Sequence, residues 1–595
     1  MNIRERLGLF RDEMQKQGVT HYIIPTCDYH MSEYVHSHFA ARRYFSGFTG
    51  SAGTLLITLD NAYLWTDGRY FIQAEEQLKD TTVTLMKMGE PGVPSLDDVL
   101  RKELNESSTL GLDGRVISVS QGDNYEAICK LSHAKFDYSQ DIVSTIWKDR
   151  PELPNGMLYV LSDKYTGKSL TEKVKELREK VLVKNDVYVD SVLDNIAWIT
   201  NCRGKDVPCN PVFLSYILVG KDFFNLYIDN CKLNDEVTAY LNDNDVTIKA
   251  YNDIYDDLKV YSSSSVQLDK ARANYLLYKS INESNVIVDS RSPIELAKAM
   301  KNSVEIEGLR NSHLKDGIAV TKFMYWLKKN VGKTLISEIS AAKHLTSLRA
   351  EQEGFIEPSF GTIAGYRDHA AMMHYGATEA SNYTLEPNGM FLVDSGGQYY
   401  DGTTDITRTF ALGEVTDEMR KDFTLTLKGM ICLSKQKFLY GCGGINLDIL
   451  ARHALWNQNI DYKCGTGHGV GFLLGVHEGP HGIRWKQTLT KTELITLEEG
   501  MVVTNEPGVY KEGEYGIRIE NELVVRKGIE NEYGQFMEFE TITYAPIDLD
   551  LVVVDMLDKD EKQFLNDYHE MVRNKLTPYM NDEELVFLNE YTREV

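Results

Sequence analysis

Residues 391–410, FLVDSGGQYYDGTTDITRTF, constrain the fold of this 595-residue chain more than any other stretch. An apolar run ends at Asp394, and a strand-like alternation begins at Asp405. Turn residues between the two runs predict a β-hairpin that carries both acids. Paired positions in a hairpin with a two-residue loop have an odd sum, as 394 and 405 do, so both side chains project from one face. The sequence therefore predicts two carboxylates on the same side of a hairpin.

The register of this hairpin has two solutions. A tight turn at residues 401–402 places Gln398 opposite Asp405. We favour a wider loop that pairs Asp394 directly with Asp405, with a β-bulge at residues 396–397. Directly opposed side chains lie about 4.5–5.5 Å apart at Cβ, which suits carboxylates that share two metal ions about 3.5–4 Å apart. For this pair taken alone, a polar hairpin with two solvated acids is the alternative.

Length, charge and cysteine usage limit the class of protein. A chain of 595 residues predicts two to four domains. The 88 acidic and 64 basic residues give a net charge of −24, which disfavours nucleic acid or an anionic membrane as the main partner. The eight cysteines include no CxxC pair, and the N-terminus predicts an amphipathic helix where a signal peptide needs an apolar run. We therefore expect a cytoplasmic protein without a membrane partner.

The linker-like segment PELPNG at 151–156 and Ser292-Pro293 predict three domains, at 1–150, 151–300 and 301–595. The first two share one order of helix, strand, polar stretch and hairpin, which indicates a duplicated α/β domain. Their predicted hairpins span 54–66 and 213–228, and a capping box at Ser169 begins the helix of the second domain. The third domain is predicted to open with a helix over 297–327, with Ser303 as N-cap candidate, and to end in a structural appendage from about residue 548.

Four further segments of the third domain carry residues that metal sites use. They are GTGHGVG with His468, VVTNEPGVY with Glu506, GIRIENELVV with Arg518 and Glu520, and MMHYG with His374. In the third of these, the alternation predicts that Arg518 and Glu520 share the face opposite Ile517 and Ile519. Taken singly, each segment has a structural explanation as a turn, a strand edge or a salt-bridged acid.

Taken together, these motifs resemble the ligand set of the pita-bread metallopeptidases, the family of methionine aminopeptidase, prolidase and aminopeptidase P. The resemblance implies a dinuclear centre with five ligands: Asp394, Asp405, His468, Glu506 and Glu520. It also covers most of the chain, because SEYVHSHFAARRYFSGFTGSAGT, LWTDGRYF, NIAWITNCRGKDVPCNPVF and AKAMKNSVEIEGLRNSHLKDG are similar to the three-domain, cytosolic-type aminopeptidase P. This branch implies two creatinase-like α/β domains, then a pita-bread α+β catalytic domain, in a homodimer.

Two departures from the family pattern bear on the substrate pocket. The family usually has a loop rich in glycine and asparagine before the histidine that corresponds to His374, whereas this chain reads YRDHAAMMHY, which changes residues 366–371. The 38 positions between His468 and Glu506 indicate an insertion at about 485–492. Neither departure removes a ligand.

Four carboxylates and one imidazole suit Mn²⁺, Co²⁺ or Zn²⁺, and the resemblance implies two Mn²⁺ ions. Two ions held between Asp405 and Glu520 would bind a water and make a hydroxide nucleophile available for a peptide carbonyl. By resemblance, Asp394 binds one ion, whereas His468 and Glu506 bind the other, and Glu506 is the general base.

The resemblance also assigns groups around the metals. His374 and His477 are expected to donate to the tetrahedral intermediate, although a buried structural histidine fits the same sequence. Arg518 orients a ligand carboxylate or reaches the substrate. A proline-binding pocket is assigned by analogy to His374, Tyr375, His477 and Tyr510, because the tertiary scissile nitrogen has no N–H to donate.

The leading hypothesis is an aminopeptidase that hydrolyses the bond between an N-terminal residue and a following proline. A prolidase-type dipeptidase for Xaa-Pro is the alternative within enzymes. A catalytically inactive pita-bread module that binds proteins, or a metal-free relative such as creatinase, is the alternative from another class. Four intact acids, at 394, 405, 506 and 520, argue against the last two.

Overall fold

The computed structural model describes residues 1–488 and 491–595, so part of the predicted insertion at 485–492 lies outside the described residues. The chain forms two compact units. The first contains Met1–Leu161 and Lys168–Ile294, and the second contains Ser162–Gly167 and Glu295–Val595. Among the described helices, none has the length and apolarity to span a bilayer. The domain limits at 150 and 300 stay predictions.

Helices and strands are interspersed over residues 1–299, most of which form the first unit. Up to residue 299 the helices are α1 (Ile3–Lys16), α2 (Ala41–Ser46), α3 (Phe71–Leu78), α4 (Leu96–Glu103), α5 (Val119–Leu131), α6 (Ile142–Ile146), α7 (Asp163–Thr166), α8 (Leu170–Val181), α9 (Leu193–Thr200), α10 (Asp235–Asp243), α11 (Ile254–Val260), α12 (Tyr275–Lys279) and α13 (Pro293–Ala299). The strands are β1 (His21–Pro25), β2 (Thr54–Thr58), β3 (Ala62–Thr66), β4 (Thr84–Lys87), β5 (Thr109–Gly111), β6 (Lys135–Asp137), β7 (Tyr159–Val160), β8 (Val187–Asp190), β9 (Cys202–Arg203), β10 (Ser215–Gly220), β11 (Phe224–Ile228), β12 (Val246–Ala250), β13 (Ser265–Leu268) and β14 (Val286–Asp289).

The two large sheets of the first unit have the same topology. Their strand orders are β4-β3-β2-β1-β5-β6 and β12-β11-β10-β8-β13-β14. In the first sheet, β1 pairs with β2 in antiparallel fashion and with β5 in parallel fashion. In the second sheet, β8 pairs in the same way with β10 and with β13. The predicted hairpins are both present, as β2–β3 and β10–β11. The predicted duplication of an α/β domain is therefore confirmed.

Local capping signals place the helices of this unit where the sequence predicts them. In α1, the Asn2 side chain accepts from the Glu5 N–H and the helix buries Leu7, Phe10 and Met14. In α8, Ser169 is the N-cap and forms a reciprocal capping box with Glu172. Each capping box satisfies backbone donors that have no partner inside the helix.

The second unit combines antiparallel sheets with helices. Its helices after α13 are α14 (Ser303–Asn330), α15 (Glu338–Ala350), α16 (Asp417–Ser434), α17 (Gly444–Trp456), α18 (Lys559–Leu576) and α19 (Asp582–Tyr591). Its strands are β15 (Phe355–Pro358), β16 (Ile363–Tyr366), β17 (Met390–Ser395), β18 (Gly397–Tyr399), β19 (Gly402–Thr403), β20 (Ile406–Ala411), β21 (Phe438–Leu439), β22 (Gly467–Gly469), β23 (Glu478–Ile483), β24 (Val502–Asn505), β25 (Gly508–Lys511), β26 (Tyr515–Arg518), β27 (Asn521–Asn531) and β28 (Gly534–Thr541). The main sheets are β16-β17-β20 and β21-β28-β27-β24-β22-β23, which confirms the predicted α+β class for this part of the chain.

The predicted helix over 297–327 is wrong in its continuity and in its cap. Helix α13 ends at Ala299, and the Lys301 N–H donates to the Gly500 carbonyl at 3.0 Å, outside any helix. The N-cap of α14 is Asn302 rather than Ser303. The Asn302 side chain accepts from the Glu305 N–H, and the Glu305 carboxylate accepts from the Asn302 N–H. This reciprocal pair outcompetes the hydroxyl of the next residue.

The C-terminal segment, predicted to be an appendage, shares the hydrophobic core of the second unit. Leu565, Val572 and Leu588 from α18 and α19 are fully buried in the same apolar cluster as Ile517 and Ile519. Burial of large aliphatic side chains stabilises a fold by about 1.5–3 kcal/mol each. The last helices are therefore integral to the unit that carries the predicted ligands.

The predicted register of the 391–410 hairpin is wrong. Asp394 pairs with Thr407, and one uninterrupted register continues through β18–β19 to a two-residue turn at 400–401. The structure therefore has neither the wider loop nor the bulge at 396–397. The strands cross closely, because a Cβ on Gly396 would lie 1.8 Å from the Thr404 carbonyl oxygen. Asp405 lies diagonal to Asp394 and on the same face, so the parity prediction survives the change of register.

Candidate metal centre

Strand ends bring the predicted ligands together. One ligand atom from each of Asp405, His468 and Glu520 lies within 4.8 Å of the others. The Nε2 atom of His468 is 3.5 Å from Asp405 Oδ2 and 3.4 Å from Glu506 Oε1. Asp394 is near enough for its charge to raise the pKa of Asp405 and of Glu520. Four of the five predicted ligands therefore lie in one cluster of the second unit, and the charge of Asp394 acts on this cluster.

Neighbouring strands fix the backbone of three of these acids. The Asp405 N–H donates to Glu522 Oε1 at 2.7 Å, and the Glu506 N–H donates to the Thr466 carbonyl at 2.8 Å. The Glu520 N–H donates to the Thr407 carbonyl at 3.2 Å. Asp405 immediately precedes β20, Glu506 follows β24 and Glu520 precedes β27. Each carboxylate thus leaves a rigid strand end at a set position.

The acids of the cluster are buried and repel one another. Burial raises the pKa of Asp405 and of Glu520 well above the ordinary range, and neighbouring carboxylates raise both further. Burial also raises the pKa of Glu506, although the Arg518 charge lowers it. Among residues 1–488 and 491–595, Asp394 Oδ1 and Asp405 Oδ1 are buried without a hydrogen-bond partner.

This set of donors fits divalent cations. Buried carboxylates need a compensating charge, and two buried oxygens here have no donor in the described part of the chain. Four carboxylates and one imidazole are ligands that Mn²⁺, Zn²⁺ and Co²⁺ accept. A cation between the acids would offset the repulsion between their negative charges, and it would give the two unpaired carboxylate oxygens a partner. The cluster is a candidate metal centre on its own chemistry.

Arg518 and Thr407 connect the ligands to each other. Arg518 donates from Nη2 to Asp394 Oδ2 at 2.5 Å and from Nε to Thr407 Oγ1 at 3.2 Å. Thr407 Oγ1 donates to Glu520 Oε2 at 2.7 Å. The predicted face of Arg518 and Glu520 is confirmed, because Ile517 and Ile519 lie in the hydrophobic core instead. This chain of hydrogen bonds orients ligand carboxylates on two strands.

A buried arginine that the sequence reasoning missed supports the same strand ends. Arg408 donates to the carbonyls of Thr407 at 2.8 Å and Glu520 at 2.5 Å. It also donates to Asn521 Oδ1 and to the Tyr568 hydroxyl of α18. A charged residue on the core-facing side of an alternating strand was the available signal.

A fully buried imidazole and carboxylate also support Asp405. Glu522 Oε1, which accepts the Asp405 N–H, lies 3.1 Å from His313 Nε2, and both side chains have no exposed surface. Burial lowers the pKa of His313, but the charge and hydrogen bond of Glu522, the hydrogen bond to the Leu309 carbonyl and the Asp316 charge together raise this pKa overall. The sequence reasoning missed this pair, although alternation places Glu520 and Glu522 on one face.

The predicted substrate residues have the following positions. The His477 ring packs edge-on against His468, with centroids 4.3 Å apart, and Tyr510 accepts a hydrogen bond from Arg518 at 2.6 Å. The Tyr375 hydroxyl donates to Glu338 Oε2 at 3.0 Å. His374 is partly exposed and lies in the turn just before Tyr375. Their roles toward substrate stay predictions.

Four family models match the chain in succession. The creatinase/prolidase N-terminal domain matches residues 6–146, and a second model with this description matches 149–305. The metallopeptidase family M24 matches residues 307–527, which include all five predicted ligands. The C-terminal region of M24 peptidases matches residues 535–595.

Full-length relatives agree with these models. The chain is 39% identical to a probable Xaa-Pro aminopeptidase P of Talaromyces marneffei, with 98% of this chain and 90% of the relative covered. It is 38% identical to Xaa-Pro aminopeptidase 1 of Dictyostelium discoideum, with 97% and 93% covered. The structure matches the X-prolyl aminopeptidase of Caenorhabditis elegans over 100% of both chains, at 34% identity and a TM-score of 0.94. That protein is described as a cytosolic enzyme with a dinuclear active site.

Proposed function

This chain belongs to the Xaa-Pro aminopeptidase branch of metallopeptidase family M24, and we propose that it is a metal-dependent aminopeptidase that releases an N-terminal residue from peptides with proline in the second position. One observation carries the proposal. Asp405, His468 and Glu520, which the family resemblance assigns as ligands, each offer a ligand atom within 4.8 Å of the others, and this grouping supports a bound cation.

We infer that the centre holds two divalent ions, with Asp394, Asp405, His468, Glu506 and Glu520 as ligands. Mn²⁺ is the metal that the family resemblance implies, and Zn²⁺ and Co²⁺ suit the same donors. Bound divalent ions supply Lewis acidity to the scissile carbonyl and acidify water. The dinuclear site of the C. elegans enzyme supports the stoichiometry.

The remaining chemistry falls to side chains of the centre. Glu506 takes the proton of the attacking water, because its carboxylate lies among the ligands and Thr504 Oγ1 orients its Oε1 atom from 3.0 Å. His477, packed on His468, and His374 donate to the negative charge that develops on the carbonyl oxygen. Arg518 holds the Asp394 carboxylate in place through the reaction.

We infer how proline is selected from the parts of the pocket tyrosines that are not already bonded to other residues. The hydroxyl of Tyr375 is engaged by Glu338 and that of Tyr510 by Arg518. The Tyr375 ring is buried and stacks on His369, so the partly exposed ring of Tyr510 is the surface that we propose for a pyrrolidine ring. The scissile nitrogen of proline carries no N–H and cannot donate a hydrogen bond. Packing of the pyrrolidine ring on an aromatic ring is therefore what distinguishes proline from other residues at this position. By the family resemblance, the free amine of the first residue would lie near Asp394.

We also infer a cytoplasmic homodimer. The description of the C. elegans enzyme as cytosolic supports the compartment, and the family resemblance supports the dimer. Sedimentation equilibrium of the full chain tests the second point, because a homodimer has twice the 67.7 kDa mass of one chain. Sedimentation at the mass of one chain, independent of concentration, would contradict it.

The deciding experiment compares three substrates on enzyme that has been stripped with a chelator and reloaded with Mn²⁺. We expect rapid release of the first residue from Xaa-Pro-Yaa, and little hydrolysis of Xaa-Ala-Yaa. Metal analysis should give about two ions per chain, and Asp405→Asn should lower both metal content and turnover. Preference for the dipeptide Xaa-Pro would favour the prolidase alternative. Undiminished activity of the stripped protein would exclude the metal mechanism.

A further inference from the structure

One carboxylate gathers the loop that departs from the family pattern. Glu338 is the first residue of α15, and its side chain has no exposed surface. Its two oxygens accept from Tyr366 N–H at 2.9 Å, His369 Nδ1 at 2.9 Å, Tyr375 Oη at 3.0 Å and Tyr383 N–H at 2.9 Å. All four donors belong to residues 366–383, which include His374. A single buried acid therefore fixes this segment at four points.

His369 is held by its ring as well as by its nitrogen. The imidazole stacks on Tyr383, with centroids 3.6 Å apart, and on Tyr375, with centroids 4.4 Å apart. Its Nδ1 atom lies within 3.1 Å of both Glu338 oxygens, so this nitrogen carries the proton. The contacts with Tyr383, Tyr375 and Glu338 together fix the orientation of the His369 ring.

The same loop rests directly on the strand that carries Arg518. A Cβ on Gly516 of β26 would lie 1.8 Å from the Ala370 carbonyl oxygen, and a Cβ on Gly365 of β16 would lie 2.8 Å from Ala370 Cα. Both strands therefore contact the loop at a glycine, because the space between the backbones is too small for a side chain. A change in the loop would be felt at β26, two residues from Arg518.

We propose that Glu338, acting through His369 and Tyr375, is a positioning residue that fixes His374 for the reaction. This inference rests on the proposed function. His374 directly precedes Tyr375, whose hydroxyl is held by Glu338, and consecutive Cα atoms are about 3.8 Å apart. Loss of the anchor is expected to displace His374, and a displacement of about 1 Å is enough to lower the rate about a hundredfold.

The chemistry of the anchor requires a carboxylate. Three N–H groups, those of Tyr366, His369 and Tyr383, and the Tyr375 hydroxyl donate to the Glu338 carboxylate. An ionised carboxylate accepts at about four positions, whereas glutamine has one acceptor oxygen and an amide group that also donates. Glu338→Gln therefore brings the side-chain NH₂ group against N–H donors of the loop. The side chain keeps its size, and the metal ligands are unchanged.

The test compares Glu338→Gln and His369→Phe with the wild-type holoenzyme on Xaa-Pro-Yaa. We expect kcat/KM to fall about tenfold to a hundredfold, with metal content and metal affinity unchanged. Hydrogen exchange of residues 366–383 should accelerate in both variants. In a double-mutant cycle, Glu338→Gln should have little further effect once His374→Ala is present, because both act on one group.

Asp548→Asn is the matched control, since Asp548 is a buried carboxylate of the same unit that accepts from the Ala411 N–H at 2.8 Å. It should lower the melting temperature without the loss of kcat/KM or the faster exchange in 366–383. Unchanged kcat/KM in Glu338→Gln and His369→Phe, additive effects with His374→Ala, or loss of metal would each overturn the anchoring role. Wild-type holoenzyme that fails to cleave Xaa-Pro-Yaa would instead overturn the proposed function, and the exchange data would still report on the anchor.

Discussion

At the scale of single residues, the centre contains two acids, Asp405 and Glu520, whose pKa is raised by burial and by neighbouring carboxylates. In metal-free protein, the pKa of Asp405 and of Glu520 is raised above the value of the unfolded chain, which is about 4. A group of this kind contributes stability that is fully present below its unfolded pKa and is lost as the pH rises through its folded pKa. The cluster therefore destabilises the metal-free fold near neutral pH.

We predict that the free energy of unfolding of the metal-free protein decreases as the pH rises above about 4, and that the decrease is smaller in Asp405→Asn. Each unit by which a folded pKa is raised corresponds to about 1.4 kcal/mol. Urea unfolding at several pH values, in the presence of a chelator, measures both slopes. Equal slopes for the two proteins would show that the carboxyl group of Asp405 does not titrate with a raised pKa.

Removal of the proposed base separates chemistry from folding. Glu506→Ala should reduce kcat/KM at least about a hundredfold and weaken one metal site, because the variant loses both a base and a ligand. The metal-free variant should be at least as stable as the metal-free wild type, since a buried, repelled acid has been removed. Substantial residual turnover at saturating Mn²⁺ would contradict the assignment of the base.

Thr407 offers a sharper test of how the ligands are oriented. Its hydroxyl accepts from Arg518 and donates to Glu520, so Thr407→Val should weaken metal binding about tenfold to a hundredfold. Thr407→Ser retains the hydroxyl and is the matched control. Titration calorimetry with Mn²⁺ on stripped protein measures the effect. Equal affinities in the valine and serine variants would remove Thr407 from the support of Glu520.

At the scale of elements, the hairpin shows what sequence reasoning reached and where it ended. Parity placed Asp394 and Asp405 on one face, because the side-chain period of a strand is two whatever its register. The register itself depends on contacts from distant parts of the chain. Gln398 donates to the Leu474 carbonyl at 2.8 Å. This contact has no signature within the hairpin sequence.

The same limit explains the residues that were missed. The five ligands lie in short local motifs, and the two hairpins and the capping boxes of the first unit depend on residues close in sequence. Arg408, Glu338 and the pair of His313 and Glu522 act on partners far away in sequence. Burial of these charges is the observation that reveals them, and burial is a property of the folded chain.

The close crossing of the hairpin strands predicts an asymmetry between two glycines. Gly396→Ala should destabilise the protein by about 3 kcal/mol and lower its metal content, because the new methyl group meets the Thr404 carbonyl next to Asp405. Gly361→Ala is the control, since a Cβ there meets nothing within 4 Å. Urea unfolding and metal analysis of the two variants test this. Equal stability would mean that the strands separate at little cost.

At the scale of the whole molecule, all five ligands belong to the second unit, whereas the first unit has its own sheets and cores. Metal that binds only the folded second unit stabilises that unit by mass action, by about 2.7 kcal/mol at a hundredfold excess over Kd. Two compact units of this size are expected to unfold in separate steps. Metal should therefore act on one step only.

We predict two calorimetric transitions for the full chain, of which a chelator lowers one and leaves the other in place. Lys232→Met identifies the second transition, because Lys232 pairs with Asp206 at 2.7 Å in the buried interior of the first unit. Loss of one partner from such a pair costs about 3–5 kcal/mol, so this variant should lower the transition that does not respond to metal. A single transition that shifts equally with chelator and with Lys232→Met would show that both units unfold together, and that metal binding stabilises the N-terminal sheets as well as the catalytic unit.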